Sequence, residues 1–277
     1  MKNWTRREFI ERSGLGIAGL SFNPFRDLPK KNKKPVPFRL GLASYSFRNY
    51  PLDKVLAMAN RLQISRISFK SMHLPLESSE QDIKTFLARL KEANIVAYAG
   101  GVIYMTKKEE VDNAFRYAGL AGMEMIIGSP AHELLPQVEA YVKKTGIKVA
   151  IHNHGPDEKV YPSPESVYQM IKDLDPGIGL CMDIWHTARL GLDPAEQFKT
   201  YSHRILDMHI KDVTAPTPSG ETIEIGRGII DFPSFVRELV KGEYQGTTSF
   251  EYEKDADDIM PGLSESVGFF KGVIESV

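Results

Sequence analysis

From Phe38 onward one pattern recurs eight times: a short, nearly continuous apolar run, then a longer amphipathic one. The apolar runs are FRLGLASYSF (38–47), ISRISFKS (64–71), IVAYAGGVIY (95–104), MEMIIGSP (123–130), IKVAIHNHG (147–155), GIGLCMDIWH (177–186), RILDMHIKDV (204–213) and GTTSFEYE (246–253). Continuous apolar runs suit strands covered on both faces. The segments between them have helical period. LDKVLAMANRL sets Leu52, Val55, Leu56, Ala59 and Leu62 on one stripe, and DIKTFLARLKEAN does the same with Ile83, Phe86, Leu87 and Leu90. Capping chemistry marks the helix starts: Ser78-Ser79-Glu80, Thr106, Ser163-Pro164-Glu165 and Asp193-Pro194, with Gly146 as a stop. DFPSFVRELV supplies a seventh helix and the tail after Asp257 an eighth. Eight such pairs predict an α/β protein with a (β/α)8 TIM barrel, which takes about 250 residues. A doubly wound open sheet would carry a glycine-rich phosphate turn after its first strand; LASYSFRNY has none.

The segment before the first strand reads differently. Arg6 and Arg7 precede an apolar, glycine-containing stretch, and PKKNKKPVP then forms a charged, proline-bounded linker. The expected division is a twin-arginine-type signal and linker over residues 1–34, and a barrel over residues 35–277. Such a signal implies export, in bacteria to the periplasm, as an already folded protein. The apolar stretch is shorter than the about 20 residues a membrane span needs. Lys+Arg total 35 against Asp+Glu 36, so no global positive field exists to hold nucleic acid. The single cysteine, Cys181, excludes an intrachain disulfide and reads as a small buried hydrophobe.

In a barrel of this kind, chemistry sits at the C-terminal ends of the strands. His152 and His154 end the fifth, Asp183 and His186 the sixth, His209, Lys211 and Asp212 the seventh, and Glu251 and Glu253 the eighth; Lys70 ends the second. Burying several such groups at one mouth is costly unless they are paired or ligated, and a divalent cation removes that cost. Residues two apart share a side of a strand. The deeper members, His152, Asp183, His209 and Glu251, form a four-ligand set. Two imidazoles and two carboxylates suit one ion of Mn, Co, Zn or Fe better than Ca or Mg. A metal-free network of salt bridges is the competing reading.

The motifs MDIWH, HIKD and FEYE on this pattern resemble the xylose isomerase-like sugar isomerases and epimerases, over residues 38–277. That resemblance implies metal ligation by Asp183, His209 and Glu251, substrate contact by His186, and a loop before the seventh helix at GRGIIDF. There are two departures. His152 stands where the ketose epimerases keep a glutamate that is both ligand and acid/base, and Ala215 stands where some keep an arginine. The expected activity is a metal-dependent isomerase or epimerase acting on a sugar or keto-sugar through an enediolate. Glu251, His154, His186 and Lys211 would be the catalytic groups, and Lys70, His186, Arg227 and Glu158 would bind substrate. A lyase or dehydratase of keto-sugars or inositol-like substrates is the alternative, favoured by the missing glutamate. An apurinic endonuclease-like hydrolase and a non-enzymatic sugar-binding protein rank below it. The expected partner is a small carbohydrate, with no nucleic acid and no membrane span; a homo-oligomer is compatible with the sequence.

Overall fold

A computed structural model of the chain describes residues 35–277; residues 1–34, and with them the expected signal, lie outside the described residues. Eight strands form a closed parallel barrel: β1 (Arg39–Ala43), β2 (Arg66–Phe69), β3 (Val96–Met105), β4 (Met125–Pro130), β5 (Lys148–His152), β6 (Ile178–Asp183), β7 (Ile205–Ile210) and β8 (Thr247–Phe250). Each strand pairs with the next in the chain, and β8 closes on β1. The helices are α1 (Leu52–Leu62), α2 (Glu80–Glu92), α3 (Lys108–Leu120), α4 (Leu135–Thr145), α5 (Pro164–Ile171), α6 (Pro194–Tyr201), α7 (Phe232–Lys241) and α8 (Met260–Ser276). Two insertions decorate the C-terminal face: a single helical turn at Ile184–Ala188, and an antiparallel pair of Asp212–Val213 with Thr222–Ile223. No helix among the described residues is long and apolar enough to cross a membrane.

The stripes that predict the helices are the faces that pack. All five stripe residues of α1 are buried, as are Ile83, Phe86 and Leu90 of α2. Ser79 accepts from the Asp82 backbone N–H, and Ser163, Asp193 and Asp231 cap their helices in the same way. Gly146 ends α4 at φ 73°, where a side chain is strained. Thr106 is not the cap of α3. That helix starts at Lys108, and the Glu110 carboxylate reaches back to accept from the Thr106 and Lys107 amides at 2.6 and 3.2 Å. The first strand is also shorter than its apolar run, because Ser44–Phe47 turns into a 3₁₀ helix. Ser44 and Ser46 cause this. Their hydroxyls accept from the Lys70 and Tyr252 amides, each at 2.8 Å, and so tie the turn to the strands on both sides.

Register sets the mouth. His152 lies opposite Cys181, Asp183 opposite His209, and His209 opposite Ser249. The ends of β5, β6, β7 and β8 are therefore level, and inward side chains from all four meet. Below them the barrel interior is filled by Tyr98, Val102, Met125, Ile127, Ala150 and Cys181, a cluster separate from the larger core between strands and helices.

Candidate metal centre at the barrel mouth

One ligand atom each from His152, Asp183, His209 and Glu251 lies within 4.8 Å of the others, and all four residues are buried. His152 Nε2 is 3.4 Å from Asp183 Oδ2, and His209 Nδ1 is 3.3 Å from Glu251 Oε2. Neither contact has hydrogen-bond alignment. Both ring nitrogens of both imidazoles lack a hydrogen-bond partner, at 2% and 1% residue exposure. A buried polar group without a partner costs roughly 1–3 kcal/mol. One orphaned nitrogen from each imidazole, beside two carboxylates, is a set that a divalent cation satisfies, so the donor set fits one.

Lys211 complicates this picture. Its ammonium is 1% exposed and lies 2.9 Å from Asp183 Oδ2, 2.5 Å from Glu251 Oε2 and 2.7 Å from Glu253 Oε1. Burial would lower its pKa, but the three carboxylates outweigh that and raise it well above the usual lysine range. The lysine therefore already neutralises both carboxylates of the ligand set. Burial pushes Asp183 and Glu251 up, yet Lys211 and the imidazoles hold both well below the carboxylate range. Burial lowers His152 to about 3, assisted by the neighbouring imidazoles. His209 moves the other way: burial lowers it, but Glu251 more than compensates.

The other candidates spread around this set. His154 lies just past the end of β5, its ring 4.4 Å from that of His152, so the two do share a side. Its Nε2 is 2.9 Å from Tyr104 Oη, and burial with the nearby His186 brings its pKa to about 4. His186 sits on the Ile184–Ala188 turn, whose N-cap is Asp183: the Asp183 carboxylate accepts from the His186 N–H at 2.9 Å. The His186 ring is 5.8 Å from His152 and 5.9 Å from His154. Lys70 stands over the Tyr45 ring at 4.4 Å. Trp185 is held between Arg189 and Lys211, at 4.3 and 5.3 Å. Tyr252 instead turns away, donating to Glu224 at 2.7 Å.

Two of the predicted substrate contacts already have partners within the protein. Arg227 makes a two-pronged ion pair with Glu265, at 2.5 and 2.7 Å, on the surface. Glu158 spends one carboxylate oxygen on the amides of Lys159 and Val160, within its own loop, at 2.7 and 3.0 Å. The GRG loop does bind an anion, but the anion is the protein's own. The Asp212 carboxylate accepts from the amides of Val213, Gly226, Gly228 and Ile230 at 2.8–3.2 Å. Asp212→Ala is expected to lower unfolding free energy by about 2–4 kcal/mol, since it strands the buried amides of Val213 and Ile230 and releases the loop at Gly226 and Gly228. Denaturant titration checks this.

Three residues that sequence reasoning passed over shape the site. Asn153, fully buried, accepts from the Asp183 amide at 3.0 Å and donates to the Asp183 carbonyl at 3.3 Å. It fixes the end of β6 relative to β5, and the alternation His-Asn-His was its only signal. Tyr104 lies one residue before the end of β3, in a run that reads as plain apolar strand. Asp207 lies one inward step below His209. Tyr98 donates to its carboxylate at 3.1 Å, and burial pushes its pKa up to about 7.

That shift has a direction in stability. The folded value of about 7 exceeds the ordinary 3.8, so the folded state binds the proton more tightly. The stability this contributes is complete below pH ~4 and lost as pH rises through ~7. In chelator-treated protein, Asp207→Asn should therefore match wild type near pH 4 and exceed it by about 4 kcal/mol above pH ~7. Paired denaturation curves across that range are the check.

Comparison with known proteins agrees with this architecture. The 27% identical Rhizopine catabolism protein MocC of Rhizobium meliloti matches over 131 residues, 42% of this chain. That match covers 40% of the relative's own length. The solved structure of the IOLI protein with a bound zinc atom aligns with a TM-score of 0.71 at 16% identity, covering 86% of this chain and 98% of that one. A D-tagatose 3-epimerase-like protein aligns with a TM-score of 0.66 at 18% identity, covering 85% and 99%. The model of the xylose isomerase-like TIM barrel family matches residues 118–273, more than half of the chain and the part that carries β5 to β8 with all four candidate ligands. The chain belongs to the xylose isomerase-like TIM barrel family.

Proposed function

We propose that this protein is an enzyme that binds one divalent transition-metal ion through His152, Asp183, His209 and Glu251 and acts on a sugar or keto-sugar. The observation that carries this reading is the convergence of those four donors with their imidazole nitrogens unpartnered. When bound, such an ion polarises a carbonyl and acidifies the neighbouring C–H. The chain's own groups supply the rest. His154 is neutral near pH 7, since burial and His186 hold its pKa at about 4, and it accepts the substrate proton. Glu251 is less available, being engaged by Lys211 and His209. His186 and Lys70 orient substrate oxygens. Returning the proton to another carbon or face gives an isomerase or epimerase.

One observation favours a second reading, a lyase or dehydratase. The β5 ligand is an imidazole, so Glu251 has no second glutamate beside it among the four candidate ligands. His154 would then protonate a departing β-oxygen. Incubating purified protein and manganese(II) with a keto-sugar panel separates the two by mass. Mass-neutral conversion identifies the isomerase, and loss of water or an aglycone the lyase. Absence of turnover together with chelator-insensitive sugar binding would refute both. Export through the twin-arginine route belongs to the same reading. A double Arg6→Lys, Arg7→Lys variant should leave the protein in the cytoplasm, and unchanged localisation would contradict export by that route.

A further inference from the structure

The imidazoles at the mouth belong to two donor sets rather than one. His152, Cys181 and His209 also present ligand atoms within 4.8 Å of one another, and all three are buried. Cys181 is on β6 opposite His152 on β5, one inward step below Asp183. It is fully buried, and its thiol donates a hydrogen bond to Asp207 Oδ2, 3.8 Å from Sγ. The nitrogens that would join it have no other partner. The two sets differ in chemical softness: the outer adds two carboxylates to the imidazoles, and the inner adds a thiol.

We propose that His152, Cys181 and His209 form a second cation site, selective for soft, thiophilic ions such as cadmium, that shares its imidazoles with the outer set and competes with it. Thiolate and imidazole favour soft or borderline ions, whereas carboxylates favour harder ones such as manganese(II). Binding forms a metal–sulfur bond and breaks the S–H bond; the ion displaces the proton, which leaves the protein. In the free protein the thiol keeps its proton and donates it in a hydrogen bond to Asp207 Oδ2 at 3.8 Å. A coordinating cation reverses that preference. The outer site would thus accept a hard ion for chemistry, while a soft ion would be drawn inward and block it.

This inference rests on the mouth imidazoles being ligands, as the proposed function does, but not on any reaction. Cadmium chloride is titrated into chelator-treated full-length protein, following the ultraviolet thiolate-to-cadmium charge-transfer band and proton release. Because Cys181 is the only cysteine, the band can come from nowhere else. The expected result is a saturable band with one proton released per cadmium, reversed only at high manganese(II). Cys181→Ser should remove the band and weaken cadmium binding on the order of tenfold, with manganese(II) affinity unchanged. Cadmium binding without the band, or no cadmium binding at all, overturns the inner site. Manganese(II) binding in the same samples reports separately on the outer one. If Cys181→Ser fails to fold, the wild-type band alone decides.

Discussion

Replacing Asp183 with Ala is expected to abolish measurable divalent-cation binding and, with it, turnover. Asp183 serves three neighbours at once. One oxygen accepts from the His186 amide at 2.9 Å, while the other lies 3.4 Å from His152 Nε2 and 2.9 Å from Lys211 Nζ. Removing partners that merely orient a ligand costs about 10–100-fold in metal affinity, so loss of the ligand itself should cost about 100-fold or more. The N-cap of the Ile184–Ala188 turn is lost as well, worth about 1 kcal/mol. Asp183→Asn should keep most of the cap and still lose the cation, because the amide retains shape without charge. Isothermal titration with manganese(II), beside thermal unfolding, separates the two effects. If both variants bind manganese(II) like wild type, Asp183 is not a ligand.

The second large effect concerns Lys211, and its sign differs between the two properties measured. Lys211→Met keeps most of the side-chain volume and removes the charge. Buried Asp183 and Glu251, and half-buried Glu253, would then lose their common ammonium partner. Breaking a buried ion pair by removing one partner costs about 3–5 kcal/mol. The metal-free variant should be destabilised by that amount. The same loss makes the mouth more negative, so its affinity for a divalent ion should rise, and saturating manganese(II) should restore much of the lost stability. Denaturant titration with chelator and with manganese(II) gives both numbers. A variant as stable as wild type without metal would show that the lysine is not what holds these carboxylates. Unchanged or weaker manganese(II) binding would show that it does not compete with the cation.

Much of this architecture is legible in the chain because parallel barrels leave a strong trace. Strands covered on both faces must be apolar throughout, and the helices between them must carry one apolar stripe. The convergence of the four candidate ligands is legible for a related reason: an ionisable side chain after an apolar stem, on four successive strands, has few inexpensive explanations. What stays hidden depends on partners distant in sequence. Arg227 and Glu265 are 38 residues apart, and nothing local says that they pair. The glycines of GRG suggest an anion site, but not that Asp212 fills it. Tyr104 reads as one more apolar strand residue until the barrel closes and brings it to His154. Lys211 is visible as a strand-end cation. That it lies between three carboxylates follows only from the register of β6, β7 and β8.

The central claim is that His152, Asp183, His209 and Glu251 together hold one cation. Anomalous diffraction at the manganese edge, from crystals grown with manganese(II), tests it most directly. The account predicts a single strong peak at the barrel mouth within bonding distance of all four side chains. A peak elsewhere, or a mouth with Lys211 still seated between Asp183 and Glu251 and no manganese at saturating concentration, would contradict it.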